Sequence, residues 1–191
     1  MQRLGRASFT ETSVDSRWVA RCWVNVPSDL YQLVVSRATE LSEGVLSIAA
    51  MAYDFQVTVD CSDPHPLADW WADALGWVVE PSNEGFIREM IAKGYATEEA
   101  TTTHNGTLVW KDGAAIVHPD ESGRRILFQL VPEPKSVKNR VHLDVRVGAE
   151  KVDAEVERLT GRGATFLHRG RQGPYTWVTI ADPEGNELCL S

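Results

Sequence analysis

Two stretches of the chain alternate between apolar and polar residues. The first runs from Phe55 to Asp60 and the second from Val141 to Arg146. Successive side chains of a β-strand point to opposite faces of its sheet, so each stretch predicts a strand with one polar face. The two polar faces hold Gln56, Thr58 and Asp60 in the first strand, and His142, Asp144 and Arg146 in the second.

The pattern that follows each strand is also repeated. An amphipathic helix is predicted over Pro64–Leu75, with Asp63 as its N-cap, and another over Ala149–Leu159. Each unit then closes on an apolar strand with one polar or soft residue, Gln129 in the first and Cys189 in the second. The order predicts an α+β fold of paired βαβββ modules, at about residues 52–134 and 139–191, forming a cup-shaped sheet around a central cleft.

The first module is longer than the second when Gln56 is matched to His142. The excess falls in Asn83–Thr107. Within it, Phe86, Ile87, Met90 and Ile91 follow helical spacing, and His104-Asn105-Gly106 has the composition of a hairpin turn. The sequence therefore predicts an insertion over 83–107 that contains a helix.

Residues 1–50 do not share the modular pattern, and two interpretations stay open. A natural start at Met51 would make them a mis-called extension. Alternatively, Ser28 caps a helical arm over residues 29–50 that packs on the domain or on a second subunit in a homodimer.

Charge and cysteine content narrow the class of protein. A net charge of -8 without a basic stripe disfavours nucleic-acid binding. No apolar run approaches the length of a membrane span. The three cysteines, Cys22, Cys61 and Cys189, form no CxxC pair, as expected in a reducing compartment. The sequence predicts a cytoplasmic protein without a nucleic-acid or membrane partner.

Several short motifs, in their order, carry a family resemblance that spans Ala52 to Ser191. They are Asp60-Cys61-Ser62-Asp63-Pro64, Leu75-Gly76-Trp77, Val131-Pro132-Glu133-Pro134-Lys135, Lys138-Asn139-Arg140-Val141-His142-Leu143-Asp144 and Asp182-Pro183-Glu184-Gly185-Asn186-Glu187. With them the chain resembles the vicinal oxygen chelate superfamily. Within it, the chain is similar to the glyoxalase-like domains common in actinobacteria, which are related to bleomycin-resistance proteins.

The resemblance implies where a metal would bind. Metal-dependent members place one ligand on the first and last strand of each module, positions held here by Gln56, Gln129, His142 and Cys189. Both carboxylates of the usual pattern are missing. Hard cations prefer anionic oxygen ligands, and glutamine cannot act as the general base. Cys189 could act as a thiolate base or join His142 on Zn²⁺, but a structural zinc site normally takes four nitrogen or sulfur ligands. We therefore expect no divalent metal cofactor and no classical glyoxalase I activity.

The same four residues are predicted to form the floor of a ligand pocket, with Trp110 and Trp177 as its aromatic wall. This pocket would hold a small aromatic or amphipathic molecule without turnover. The alternative is a lyase or isomerase that acts on a small carbonyl metabolite through His142, with Cys189 as a second catalytic candidate. A third possibility is an interaction domain that docks through residues 1–50. Each residue also has a structural interpretation: a hydrogen-bonded histidine, a buried thiol or a core tryptophan.

Overall fold

The computed structural model describes residues 55–120 and 123–191. The predictions for residues 1–50, including the helix over 29–50, lie outside this part of the chain. The described part contains three α-helices: α1 (Pro64–Leu75), α2 (Glu84–Ala92) and α3 (Val152–Thr160). Its strands are β1 (Val57–Cys61), β2 (Val78–Val79), β3 (Thr101–His104), β4 (Thr107–Trp110), β5 (Gly113–Val117), β6 (Arg125–Leu130), β7 (Leu143–Val145), β8 (Thr165–Gln172), β9 (Tyr175–Ala181) and β10 (Glu187–Leu190).

The two modules build sheets with the same strand order. The first sheet runs β1-β6-β5-β2 and the second runs β7-β10-β9-β8. In both, the first strand pairs in parallel with the last, and the remaining neighbours are antiparallel. The predicted α+β fold of paired βαβββ modules is confirmed. None of the described helices is both long and apolar enough to cross a bilayer.

The register of the sheets corrects the alignment of the two modules, in which Gln56 is matched to His142. Asp60 lies opposite Gln129 in the first sheet, and Asp144 lies opposite Cys189 in the second. With Gln129 matched to Cys189, the counterpart of His142 is Thr58, not Gln56. A shift of two residues keeps every side chain on the same face, so alternation alone could not detect it.

The insertion in the first module folds as α2 followed by the β3–β4 hairpin. The Asn83 side chain accepts a hydrogen bond from Phe86 N (3.0 Å) and caps α2, whose Ile87 is buried. Asn105 and Gly106 take left-handed backbone conformations at the hairpin turn, with φ of 49° and 81°. The predicted helix and the predicted turn are both confirmed.

Helix α1 is capped by the other module. Asp63 occupies the N-cap position, as predicted, but its side chain makes no capping hydrogen bond. The Glu184 carboxylate instead accepts hydrogen bonds from Ser62 N (2.7 Å) and Asp63 N (2.9 Å). In a capping box a glutamate three positions into the helix reaches back to the N-cap amide, and here that position is Pro66. The Asp-Pro-Glu-Gly-Asn turn thus supplies a carboxylate that the local sequence lacks.

The Asp-Pro-Glu-Gly-Asn turn, residues 182–186, also lies at the interface between the two modules. Asp182 is buried and accepts a hydrogen bond from the indole Nε1 of Trp71 (2.9 Å). On the same helix, Trp70 Nε1 donates to the carbonyl oxygen of Arg162 (3.1 Å), and Asp73 forms ion pairs with Arg158 and Arg162. Helix α1 of the first module therefore contacts the second module through Trp70, Trp71 and Asp73.

Replacing Glu184 with alanine tests the capping role. We expect Glu184→Ala to lower the free energy of unfolding by about 1–2 kcal/mol, because two amide donors at the start of α1 lose a charged acceptor. Glu184→Gln keeps one acceptor oxygen and should lose about half as much. Thermal and urea unfolding of the three proteins measure the difference. Equal stability of Glu184→Ala and the parent protein would contradict the capping role.

Candidate functional site

A cleft of about 590 Å³ lies between strand β1 and the crossover that joins the modules, residues 131–142. One side is the free edge of the first sheet, since β1 is its terminal strand. The other side is the crossover with the beginning of β7 and the end of the Asp-Pro-Glu-Gly-Asn turn. Its aliphatic lining residues include Val57, Val59, Val131, Val137, Val141 and Leu143.

The polar lining of the cleft comes mainly from the crossover. Lys135, Lys138 and Arg140 bring positive charge, and His142 follows them along the chain. Arg140 donates from Nε and Nη2 to the carbonyl oxygen of Lys138 (3.3 and 3.0 Å), which orders the guanidinium. The cleft therefore has the valines of β1 on one side and three cations of the crossover on the other, and its lining also includes four acidic residues, Asp60, Glu133, Glu184 and Glu187.

Two contacts to the last strand fix the crossover. Asn139 N donates to Glu187 Oε2 (3.0 Å), and the Asn139 side chain donates to Asn186 Oδ1 (3.2 Å). Lys135 lies 3.5 Å from the other oxygen of Glu187. Asn139 therefore holds the crossover in place, and two carboxylates that border the cleft, Glu184 and Glu187, already have partners.

The second module also brings three metal-ligating side chains together. His142 immediately precedes β7 and Asp144 lies within it, and His142 Nδ1 is 3.3 Å from Asp144 Oδ1. Cys189 lies opposite Asp144 on β10. The three donor atoms all lie within 4.8 Å of one another. Because His142 also lines the cleft, this cluster borders it.

Burial raises the pKa of the Cys189 thiol, the Thr179 hydroxyl opposes that rise, and the Asp144 carboxylate adds to it. Thr179 Oγ1 is 3.4 Å from Cys189 Sγ and 3.3 Å from His168 Nε2. Burial likewise raises the pKa of Cys61 to about 12. Cys61 is buried and donates its thiol hydrogen to the carbonyl oxygen of Gln129 (3.4 Å).

The residues predicted for the pocket fall in several places. Gln56 is exposed and accepts a hydrogen bond from Arg125 Nη1 (2.8 Å), and Gln129 is an exposed residue of β6. Of the four floor residues, the structure brings His142 and Cys189 together within the second module. The Trp177 indole covers Gly170 on the neighbouring strand.

Trp110 belongs to another cavity, of about 480 Å³, beside the hairpin of the insertion. There its carbonyl oxygen lies 2.8 Å from His65 Nε2. The His65 ring stacks on that of His104, which pairs with Asp69 (2.7 Å). The aromatic wall predicted from Trp110 and Trp177 is thus divided between two parts of the molecule.

Asp144 belongs to this cluster but is not among the four ligand positions predicted from the sequence. It shares the polar face of its strand with His142, so alternation placed it correctly. Its role depends on pairing with Cys189, which lies far along the chain. Strand register supplies this information, and a single sequence does not contain it.

The chain belongs to the glyoxalase-like domain family, whose pattern it matches over residues 56–191. The resemblance to the glyoxalase/bleomycin-resistance superfamily is therefore confirmed, while the actinobacterial type stays a prediction. Among the curated proteins, none matches the chain.

Solved structures share the fold at low sequence identity. A mutant form of the fosfomycin resistance protein FosX from Listeria monocytogenes, complexed with Mn(II) and 1S,2S-dihydroxypropylphosphonic acid, has a TM-score of 0.50 and 11% identity, covering 73% of this chain and 91% of that one. Protein ATC0852 from Agrobacterium tumefaciens has a TM-score of 0.49 and 14% identity, with 73% and 96% covered. A glyoxalase/bleomycin resistance protein/dioxygenase family enzyme from Burkholderia phytofirmans has a TM-score of 0.46 and 15% identity, with 71% and 94% covered.

The expectation that a divalent metal is absent is weakened by this geometry. The loss of both family carboxylates still holds, but Asp144 supplies a carboxylate that the expectation did not include. One imidazole, one carboxylate and one thiol can together hold a borderline cation. Hard cations such as Mg²⁺ fit this set poorly, because they require a shell of oxygen ligands.

Proposed function

We propose that this glyoxalase-like domain binds a small amphipathic anion in the cleft between its modules. The proposal rests on a cleft that is lined by the valines of β1 and by Lys135, Lys138 and Arg140 of the crossover, together with the carboxylates of Asp60 and Glu133. Its volume of about 590 Å³ falls within the range of about 300–1,000 Å³ typical of small-molecule sites.

The charges favour an acidic group on the ligand. Glu184 and Glu187 are already engaged by backbone amides, and Lys135 also approaches Glu187. Arg140 is held by its two hydrogen bonds to the Lys138 carbonyl. A planar guanidinium fixed in this way suits a carboxylate, sulfonate or phosphonate. The apolar part of the ligand would lie along Val57 and Val59.

A fluorescent amphipathic anion, 8-anilinonaphthalene-1-sulfonate, provides a direct test. We expect saturable binding to the folded protein, weakened about tenfold or more in Arg140→Ala and in Lys138→Ala, since each removes a charged contact worth about 1.5 kcal/mol. Arg171→Ala is the matched control, because Arg171 is an exposed cation bonded to the Gly173 carbonyl and does not line the cleft.

A neutral probe of similar shape, N-phenyl-1-naphthylamine, separates charge from hydrophobic contact. It should bind more weakly than the sulfonate and should be insensitive to Arg140→Ala. Equal binding of the sulfonate to the parent protein, Arg140→Ala and Lys138→Ala would reject the proposal.

One observation favours catalysis as a second candidate function. The Asp144 carboxylate lies against Nδ1 of His142 (3.3 Å), an arrangement that orients an imidazole as a general base. The reaction would be the isomerisation or cleavage of a small carbonyl compound, by proton abstraction next to the carbonyl. Turnover of such a compound that survives in His142→Gln would exclude this role.

A further inference from the structure

Two of the three donors of the second module, Asp144 and Cys189, lie on neighbouring strands that are paired in register. His142 immediately precedes β7, and its Nδ1 is 3.3 Å from Asp144 Oδ1. Cys189 is the Cα partner of Asp144 on β10. The backbone hydrogen bonds of this parallel strand pair fix Asp144 next to Cys189, and the residue that leads into β7 adds the His142 imidazole.

The distances are close to those that shared coordination requires. Zinc bonds of about 2.0–2.3 Å in a tetrahedron separate neighbouring donors by about 3.3–3.8 Å. His142 Nδ1 and Asp144 Oδ1 are 3.3 Å apart, and no pair of donor atoms in the cluster exceeds 4.8 Å. A side-chain movement of about 1 Å closes the remaining gap, and His142 has room to rotate because it is 37% exposed.

The surroundings orient the sulfur ligand. Thr179 Oγ1 contacts Cys189 Sγ (3.4 Å), and His168 Nε2 contacts the same hydroxyl (3.3 Å). Hydrogen bonds of this kind to ligands are a regular part of metal sites. Nitrogen, oxygen and sulfur in one set favour Zn²⁺ or Co²⁺ over Mg²⁺ or Mn²⁺.

We propose that His142, Asp144 and Cys189 form a zinc site contained within the second module. The superfamily pattern draws its ligands from both modules, whereas here Asp144 takes the place of the first-module ligands. Three protein ligands leave one tetrahedral position open, as in catalytic zinc sites. His142 would then act as a ligand and not as a general base. The proposal is independent of anion binding in the cleft.

Cobalt and zinc titrations of the chelator-treated full-length protein test the site. We expect one equivalent of Co²⁺ to give a thiolate-to-cobalt charge-transfer band in the near ultraviolet, and Zn²⁺ to displace it. His142→Ala, Asp144→Asn and Cys189→Ser should each weaken zinc binding at least tenfold. Cys61→Ser, Cys22→Ser and Asp60→Asn should leave the affinity unchanged.

Each contrary result overturns a defined part of the proposal. Cobalt binding without the band, or an unchanged affinity in Cys189→Ser, would remove the sulfur ligand. A loss in Asp60→Asn as large as that in Asp144→Asn would show a site that spans both modules. Should a variant fail to fold, alkylation of the parent protein still decides: zinc should protect Cys189 from iodoacetamide, and lack of protection rejects the site. Sulfonate binding that fails while zinc binds would reject only the anion proposal.

Discussion

Asp182→Asn is expected to lower the free energy of unfolding by about 3 kcal/mol or more. The Asp182 carboxylate accepts hydrogen bonds from Glu184 N (2.9 Å) and Asn186 N (2.8 Å) at one oxygen. The other oxygen accepts from Trp71 Nε1 (2.9 Å) and Asn186 Nδ2 (3.0 Å). Burial raises the pKa of this carboxyl, and the four donors oppose that rise.

An asparagine side chain cannot reproduce this arrangement. Its amide nitrogen would replace one carboxylate oxygen and face two donors, whichever way the amide is turned. Each buried donor left without an acceptor costs about 1–3 kcal/mol, and the melting temperature should fall by about 10 °C. Asp153→Asn is the control, since Asp153 is 78% exposed and pairs only with Arg169 among the described residues. Equal melting temperatures for the two variants would contradict the role of Asp182.

Gly170→Ala should destabilise the second sheet by about 1–3 kcal/mol, the usual cost of forcing extra volume into a packed site. A Cβ atom at this position would lie 2.1–2.4 Å from three atoms of the Trp177 indole. Gly170 and Trp177 face each other across β8 and β9. The indole would have to leave the strand surface, which removes its packing on the glycine.

A double-mutant cycle isolates this contact. In a Trp177→Val background the obstruction is gone, so Gly170→Ala should become neutral or slightly stabilising, because alanine has less backbone entropy to lose than glycine. Urea unfolding of the four proteins gives the coupling energy. If Gly170→Ala costs the same in both backgrounds, the indole does not pack on Gly170 in solution.

Much of the secondary structure follows directly from the sequence. Helix α1 has the predicted bounds, Pro64–Leu75, and the closing strand predicted around Cys189 is β10. Proline in the first turn and Gly76 after the last turn, with φ of 66°, define the ends of α1 locally. The second helix was predicted over residues 149–159 and is Val152–Thr160. A polar first turn without a side-chain cap left its start poorly marked.

The residue that caps α1 could not be predicted from the local sequence. Aspartate before proline is a strong N-cap signal, and Asp63 does occupy that position. The acceptor for its backbone amide is Glu184, 121 positions further along the chain. No local pattern distinguishes an aspartate whose side chain caps the helix from one at the same position where a distant carboxylate accepts the hydrogen bonds.

The duplicated module, the polar face of each first strand and the loss of the family carboxylates can all be recognised in the sequence alone. These depend on periodicity and residue type, which are properties of neighbouring residues. Only the tertiary structure decided that Thr58 and not Gln56 matches His142, that Asp144 joins Cys189, and that Trp110 and Trp177 lie apart. Register and long-range pairing are set by hydrogen bonds between distant strands. A polar alternation with a period of two is the same after every shift of two residues.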